Sequence, residues 1–131
     1  MEKAVDRASE EIAPTLKKHG FKKRRRSWFR DTGEIIQVVN LQASQWSEED
    51  YYFNLALYLK PLGDLETPPE YKCHIRRRVV EGEPMSMLNF ALGWFAERDT
   101  LSKLREKHSN GDMEAIVTGA ANDYLISKAV Y

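Results

Sequence analysis

The sequence predicts an α+β fold: an N-terminal helix, a four-stranded, mainly antiparallel meander sheet, and C-terminal helices packed on that sheet. Three observations carry this expectation. Apolar residues recur at three- and four-residue spacing from Val5 to Leu16, alternate between residues 22 and 59, and return to helical spacing after Pro84. The alternating segments are rich in β-branched and aromatic residues, and glycine or proline clusters separate them. A chain of 131 residues, 42% of them hydrophobic, suits one domain (1–131) around one core.

The first helix presents Val5, Ala8, Ile12 and Leu16 on one face and stops at Gly20, with Pro14 expected to kink or divide it. Strands follow at "KKRRRSWFR" (22–30), "EIIQVVNLQ" (34–42) and "YYFNLALYL" (51–59). "DTG" (31–33) makes a tight hairpin that would set Phe29 opposite Ile35 and Trp28 opposite Ile36. Ser47 and Asp50 match a capping box, but the alternation after them speaks for a strand. The proline-rich stretch 60–71 is an irregular loop, and "KCHIRRRVV" (72–80) is the fourth strand. After a turn at 81–84, Leu88, Leu92, Phe95, Leu101 and Leu104 mark helix, with a break at Gly93 or near Asp99 and Thr100. Asp112 is placed to cap a last helix that presents Ile116, Val117, Ala121 and Leu125.

Side-chain parity divides the sheet. One face collects Phe29, Ile35, Val39, Leu41, Phe53, Leu55, Leu57 and Leu59, joined by Cys73, Ile75 and Val79, and forms the core. The other collects Arg24, Arg26, Trp28, Asn40, Asn54 and Tyr58, joined by His74, Arg76 and Arg78; Asn40 is expected opposite Asn54. These nine residues are the candidate binding set. Arg77 shares parity with the core and so calls for a carboxylate partner, a structural ion pair, or a path for its head to water.

Charge is balanced in total, with 20 basic and 20 acidic side chains, but segregated along the chain. Residues 1–30 carry ten basic and four acidic side chains, residues 31–70 carry one and eight, and residues 71–131 carry nine and eight. The neutral total argues against global steering to nucleic acid or membrane. No apolar run reaches the roughly 18 residues of a membrane span, and a lone cysteine, Cys73, forms no internal disulfide, so a cytoplasmic protein is expected.

Taken in order, "LKKHGFKKRRRSWFR", "EIIQVVNLQASQW", "FNLALYL" and "CHIRRR" resemble the bacterial domain of unknown function 4304 family over about residues 10–80. The resemblance implies a small α+β domain and carries no catalytic residue across.

The residues assemble no catalytic constellation. Cys73 and His74 are neighbours on a predicted strand and would point to opposite faces, the three histidines stand apart, and no phosphate-binding glycine loop occurs. No cofactor or metal is implied. The expectation is a non-catalytic protein-binding module, an immunity protein or antitoxin whose partner is another protein such as a toxin. The alternative is single-stranded nucleic-acid or phosphate-ligand binding through the basic, aromatic sheet face.

Overall fold

The structure, a computed structural model, describes residues 3–79 and 82–129, the last two as backbone only. Helix α1 (Ala4–Lys18) is followed by strands β1 (Lys22–Arg24), β2 (Ser27–Asp31), β3 (Ile35–Ala43), β4 (Tyr51–Leu59) and β5 (Ile75–Val79). Helices α2 (Pro84–Ala96) and α3 (Leu101–Ser109), a short strand β6 (Ile116–Val117) and helix α4 (Gly119–Ala129) complete the order. The sheet is an antiparallel meander with strand order β1-β2-β3-β4-β5-β6. The fold class is the expected α+β, with six strands among the described residues in place of four. Val80, the last residue of the predicted fourth strand, and Glu81 of the following turn lie outside the described residues.

Helix α1 buries the predicted stripe of Val5, Ala8, Ile12 and Leu16, each worth about 1–3 kcal/mol as its apolar area leaves water. It runs unbroken through Pro14, which sits exposed on the opposite side. The helix ends at Gly20, whose φ of 87° places it in the left-handed region that glycine enters freely.

The predicted first strand is two strands. A two-residue turn at Arg25 and Arg26, with Arg25 at φ 58°, folds β1 back on β2 and pairs Arg24 with Ser27. The β2–β3 loop also differs from expectation, because Asp31 pairs with Ile36 and Trp28 with Val39. Tertiary anchors account for the longer loop. Thr32 Oγ1 donates to the Asp99 carbonyl at 2.8 Å, and Glu34 Oε1 accepts from Leu101 N at 3.2 Å, so the Thr32 and Glu34 side chains are tied to the α2–α3 junction. The pairing moves by three residues, an odd number, which reverses the parity of β2. Trp28, expected on the binding face, lies 1% exposed in the main core, and Phe29, expected in the core, packs on the other face.

The main core lies between α1, α2 and one sheet face, where Trp28, Val39, Leu41, Phe53 and Leu55 meet Met87, Leu88, Ala91 and Phe95. Gln37 is fully buried there: its Nε2 donates to the Phe95 carbonyl at 2.9 Å, and its Oε1 accepts from Arg30 Nε and Nη2. Helices α2 and α3 break between Glu97 and Thr100, as one of the two expected breakpoints had it, and Gly93 lies inside α2. Arg98, 1% exposed, binds the Trp94, Met113 and Asp112 carbonyls, and burial lowers its pKa against the raising effect of Glu97 and Glu114.

Residues 116 and 117 pair with β5 and do not start the last helix; Thr118 supplies its cap, its Oγ1 accepting from Ala121 N at 3.2 Å. Asp112, the expected cap, meets Lys107 instead. Around Ser47 the chain makes a local turn in which Glu49 N donates to Ser47 Oγ, and no helix starts.

Candidate functional site

The second sheet face carries the candidate site, and parity across five strands sets one row of it. Cross-strand partners place Arg24, Ser27, Asn40, Asn54 and Arg78 side by side, with Asn40 opposite Asn54. At about 4.8 Å per strand, the two arginines stand roughly 19 Å apart, one at each end. Arg78 Nε donates to Asn54 Oδ1 at 3.0 Å, Asn54 Nδ2 to Asn40 Oδ1 at 3.1 Å, and Asn40 Nδ2 to Ser27 Oγ at 2.9 Å. Gln42 Oε1 accepts from Asn54 Nδ2 and, at 3.5 Å, from Arg78 Nη2. Each group in this chain polarises the next toward Ser27.

Other donors of the row are unspent. Among the described residues, the Ser27 hydroxyl and the Gln42 amide nitrogen donate to no protein acceptor. Arg24 spends one nitrogen on Thr67 Oγ1, 2.8 Å away, and Arg25 meets no carboxylate among the described residues. Arg24, Arg25, Ser27, Asn40 and Thr67 line a groove of about 650 Å³ over this end of the row.

The neighbouring rows are roofed by the segment between β4 and β5. Ile36, Val38, Ala56, Tyr58 and Cys73 form a second apolar cluster, with Phe29 packed against it. Gly63 lies directly on the Tyr58 hydroxyl, which accepts from Leu65 N at 3.3 Å. Cys73 falls before β5 begins, so the parity that assigned it to the main core does not reach it. Its thiol donates to the Pro69 carbonyl, and burial pushes its pKa up to about 12, which removes it as a nucleophile at neutral pH.

His74 stacks on Tyr58 with ring centroids 4.7 Å apart, and its Nδ1 accepts from Leu59 N at 2.9 Å. That hydrogen bond requires the neutral ring, and burial lowers the pKa in the same sense. The Nδ1 of His74 is therefore occupied structurally.

The candidate residues thus fall into three groups. Asn40, Asn54, Arg24 and Arg78 come together on the open row. Tyr58 and His74 lie under the roof with Arg76, whose Nε and Nη2 grip both oxygens of half-buried Glu70 at 2.8 and 3.1 Å; that hydrogen bond raises the arginine pKa. Trp28 leaves the face for the core, while Arg26 still lines the groove beside Arg24 and Arg25 and turns one nitrogen to Asp6 on α1 at 2.9 Å, because it sits in the β1–β2 turn and not in a strand. Arg77 lies on the core side, where its Nη1 donates to the Glu114 carbonyl at 3.0 Å and to Glu114 Oε2 at 3.3 Å, with its guanidinium 4.7 Å from the Phe90 ring.

Ser27 and Gln42 were missed by sequence reasoning. Gln42 is two residues from Asn40 and shares its parity, a signal that was present; Ser27 required the correct β2 register. Among the described residues no group of three His, Cys, Asp or Glu side chains is placed to hold a metal ion.

A family model described as Domain of unknown function (DUF4304) matches residues 12–126. The chain belongs to this family. The DUF4304 match takes in the whole sheet and most of α4, well past the stretch up to residue 80 that carried the resemblance. No curated protein and no solved structure matches the chain.

Proposed function

We propose that this DUF4304 protein is a non-catalytic binding protein of the bacterial cytoplasm whose open sheet row docks an acidic surface of another protein, as an immunity protein or antitoxin docks on a toxin. The observation that carries it is the donor character of the row: Arg24, Arg25, Ser27, Gln42 and Arg78 offer N–H and O–H groups in excess of the acceptors around them. Such a surface suits carboxylates, and the two terminal arginines belong to the residue type enriched at binding hot spots. The inert Cys73 thiol and the structurally occupied His74 favour binding over catalysis.

Single-stranded nucleic acid needs open aromatic platforms. Trp28 and Tyr58 are buried, and the Tyr52 ring is covered by the Arg78 guanidinium at 4.1 Å, so the face favours protein.

The test is to co-express the tagged chain with the product of a neighbouring toxin-like gene. A stoichiometric complex and protection of the host are expected, both lost on Arg24→Glu with Arg78→Glu and kept on the α3 control Lys103→Ala. A complex indifferent to the double charge reversal removes the proposed surface. Steeply salt-dependent binding of a single-stranded oligonucleotide, with no protein complex, overturns the reading in favour of nucleic acid.

A further inference from the structure

A second surface lies on the other side of β1. Between the C-terminal half of α1 and the edge strand β1 runs an apolar groove of about 560 Å³, walled by Ala13 and Gly20, floored by Phe21 and Trp28, and rimmed by Lys22 and Lys23. Lys17 joins that rim from α1. None of the three lysines forms an ion pair among the described residues; Lys23 only approaches the Trp28 ring at 5.5 Å.

The complement stands at the other end of α1. Trp46 is 82% exposed, the most exposed large hydrophobic side chain among the described residues. Its loop is braced, not loose: Trp46 N donates to Ser44 Oγ, Ser44 N to the Asp50 carbonyl, and the Glu48 carbonyl accepts from Ala4 N. Two carboxylates beside it, Glu48 and Asp50, form no ion pair among the described residues. The chain therefore displays an aromatic anchor with unpaired acids and an apolar groove with unpaired bases. The loop is tied to Ala4 and the groove reaches Lys17, about 20 Å along the same helix, so the two do not meet within one molecule.

We infer that a second copy of this chain fills the groove, in a two-fold dimer that pairs the two α1 helices antiparallel and seats each Trp46 in the other's groove. An isologous interface needs each patch to meet its complement at once, and placing the two patches at opposite ends of one helix satisfies that when the helices are reversed. Each seated indole removes on the order of 150–250 Å² from water. This surface is distinct from the open row, so the dimer and the partner-binding reading stand or fall separately.

Sedimentation velocity of the full chain at low salt, over a concentration series reaching the high micromolar range, tests it. A concentration-dependent dimer is expected, with Trp46→Ala weakening association at least about 30-fold, the loss of a buried aromatic anchor, and leaving the melting temperature unchanged. Lys22→Glu with Lys23→Glu should abolish the dimer, and so should Glu48→Lys with Asp50→Lys. Mixing those two variants should restore a heterodimer. A chain monomeric throughout the series overturns the inference, as does a dimer untouched by Trp46→Ala.

Discussion

Arg76 and Arg78 leave β5 on the same side, two residues apart, and have different work. Arg76 is held by both oxygens of Glu70, whose side chain is 14% exposed, while Arg78 is exposed and bonded through amides. Removing Arg76 leaves a half-buried carboxylate without its partner, so Arg76→Ala should lower stability by about 1–2 kcal/mol in denaturant melts. Arg78→Ala should change stability by less than about 0.5 kcal/mol and act on binding instead. Equal losses of stability from the two would show that the open row is a structural network. At the same scale, Trp28→Ala deletes one of the largest fully buried side chains and should cost about 3–5 kcal/mol. A near-neutral Trp28→Ala would place the indole back on the open face and contradict the observed β2 register.

Between elements, the roof over the second face hangs on a few contacts, and two of them can be probed. Gly63→Ala would drive a methyl group into the Tyr58 hydroxyl, so the roof must shift, at a cost of roughly 1–3 kcal/mol. His74 supplies the second probe. Its pKa is lowered from 6.5 by burial, so the folded chain resists the proton that the unfolded chain takes up. The stability it secures is fully present above pH 6.5 and is lost as pH falls through 6.5 toward the lowered folded value. Thermal melts between neutral pH and about pH 5 should therefore fall more steeply for the native chain than for His74→Gln. Parallel curves for the two would mean that burial of the His74 ring does not hold its proton affinity down in the folded chain.

Elements were legible where local signals were undisputed. The α1 stripe, the β3–β4 ladder with Asn40 facing Asn54, and the break before α3 all followed from period and turn chemistry. What escaped were decisions made across the fold. The β2–β3 loop takes its length from Asp99 and Leu101, some 67 residues away in sequence, and that single shift carried Trp28 into the core. The Arg25–Arg26 turn escaped for another reason: it puts a non-glycine residue at positive φ, where sequence reading expects Gly or Asn.

Over the whole molecule, the segregation of charge along the chain becomes a segregation in space. The basic N-terminal third supplies Lys17, Lys22, Lys23, Arg24 and Arg25, and the acidic middle supplies the Trp46 loop and Glu70, which neutralises one of the predicted binding arginines. This is why only half of the candidate site was legible. Parity identified the face and its amides, but which arginines keep their charge available depends on where the irregular 60–72 segment folds back, and no periodicity reports that. The surviving half, a donor row between Arg24 and Arg78, is the central claim. It is tested most directly by NMR of the side-chain resonances of that row, the Asn40 and Asn54 amides and the Arg78 Nε–H, as the captured protein partner is added. Shifts concentrated on those groups, with the buried Arg98 Nε–H and the Gln37 amide unmoved, are the predicted result; shifts confined to α3 and α4, with the row silent, would contradict it.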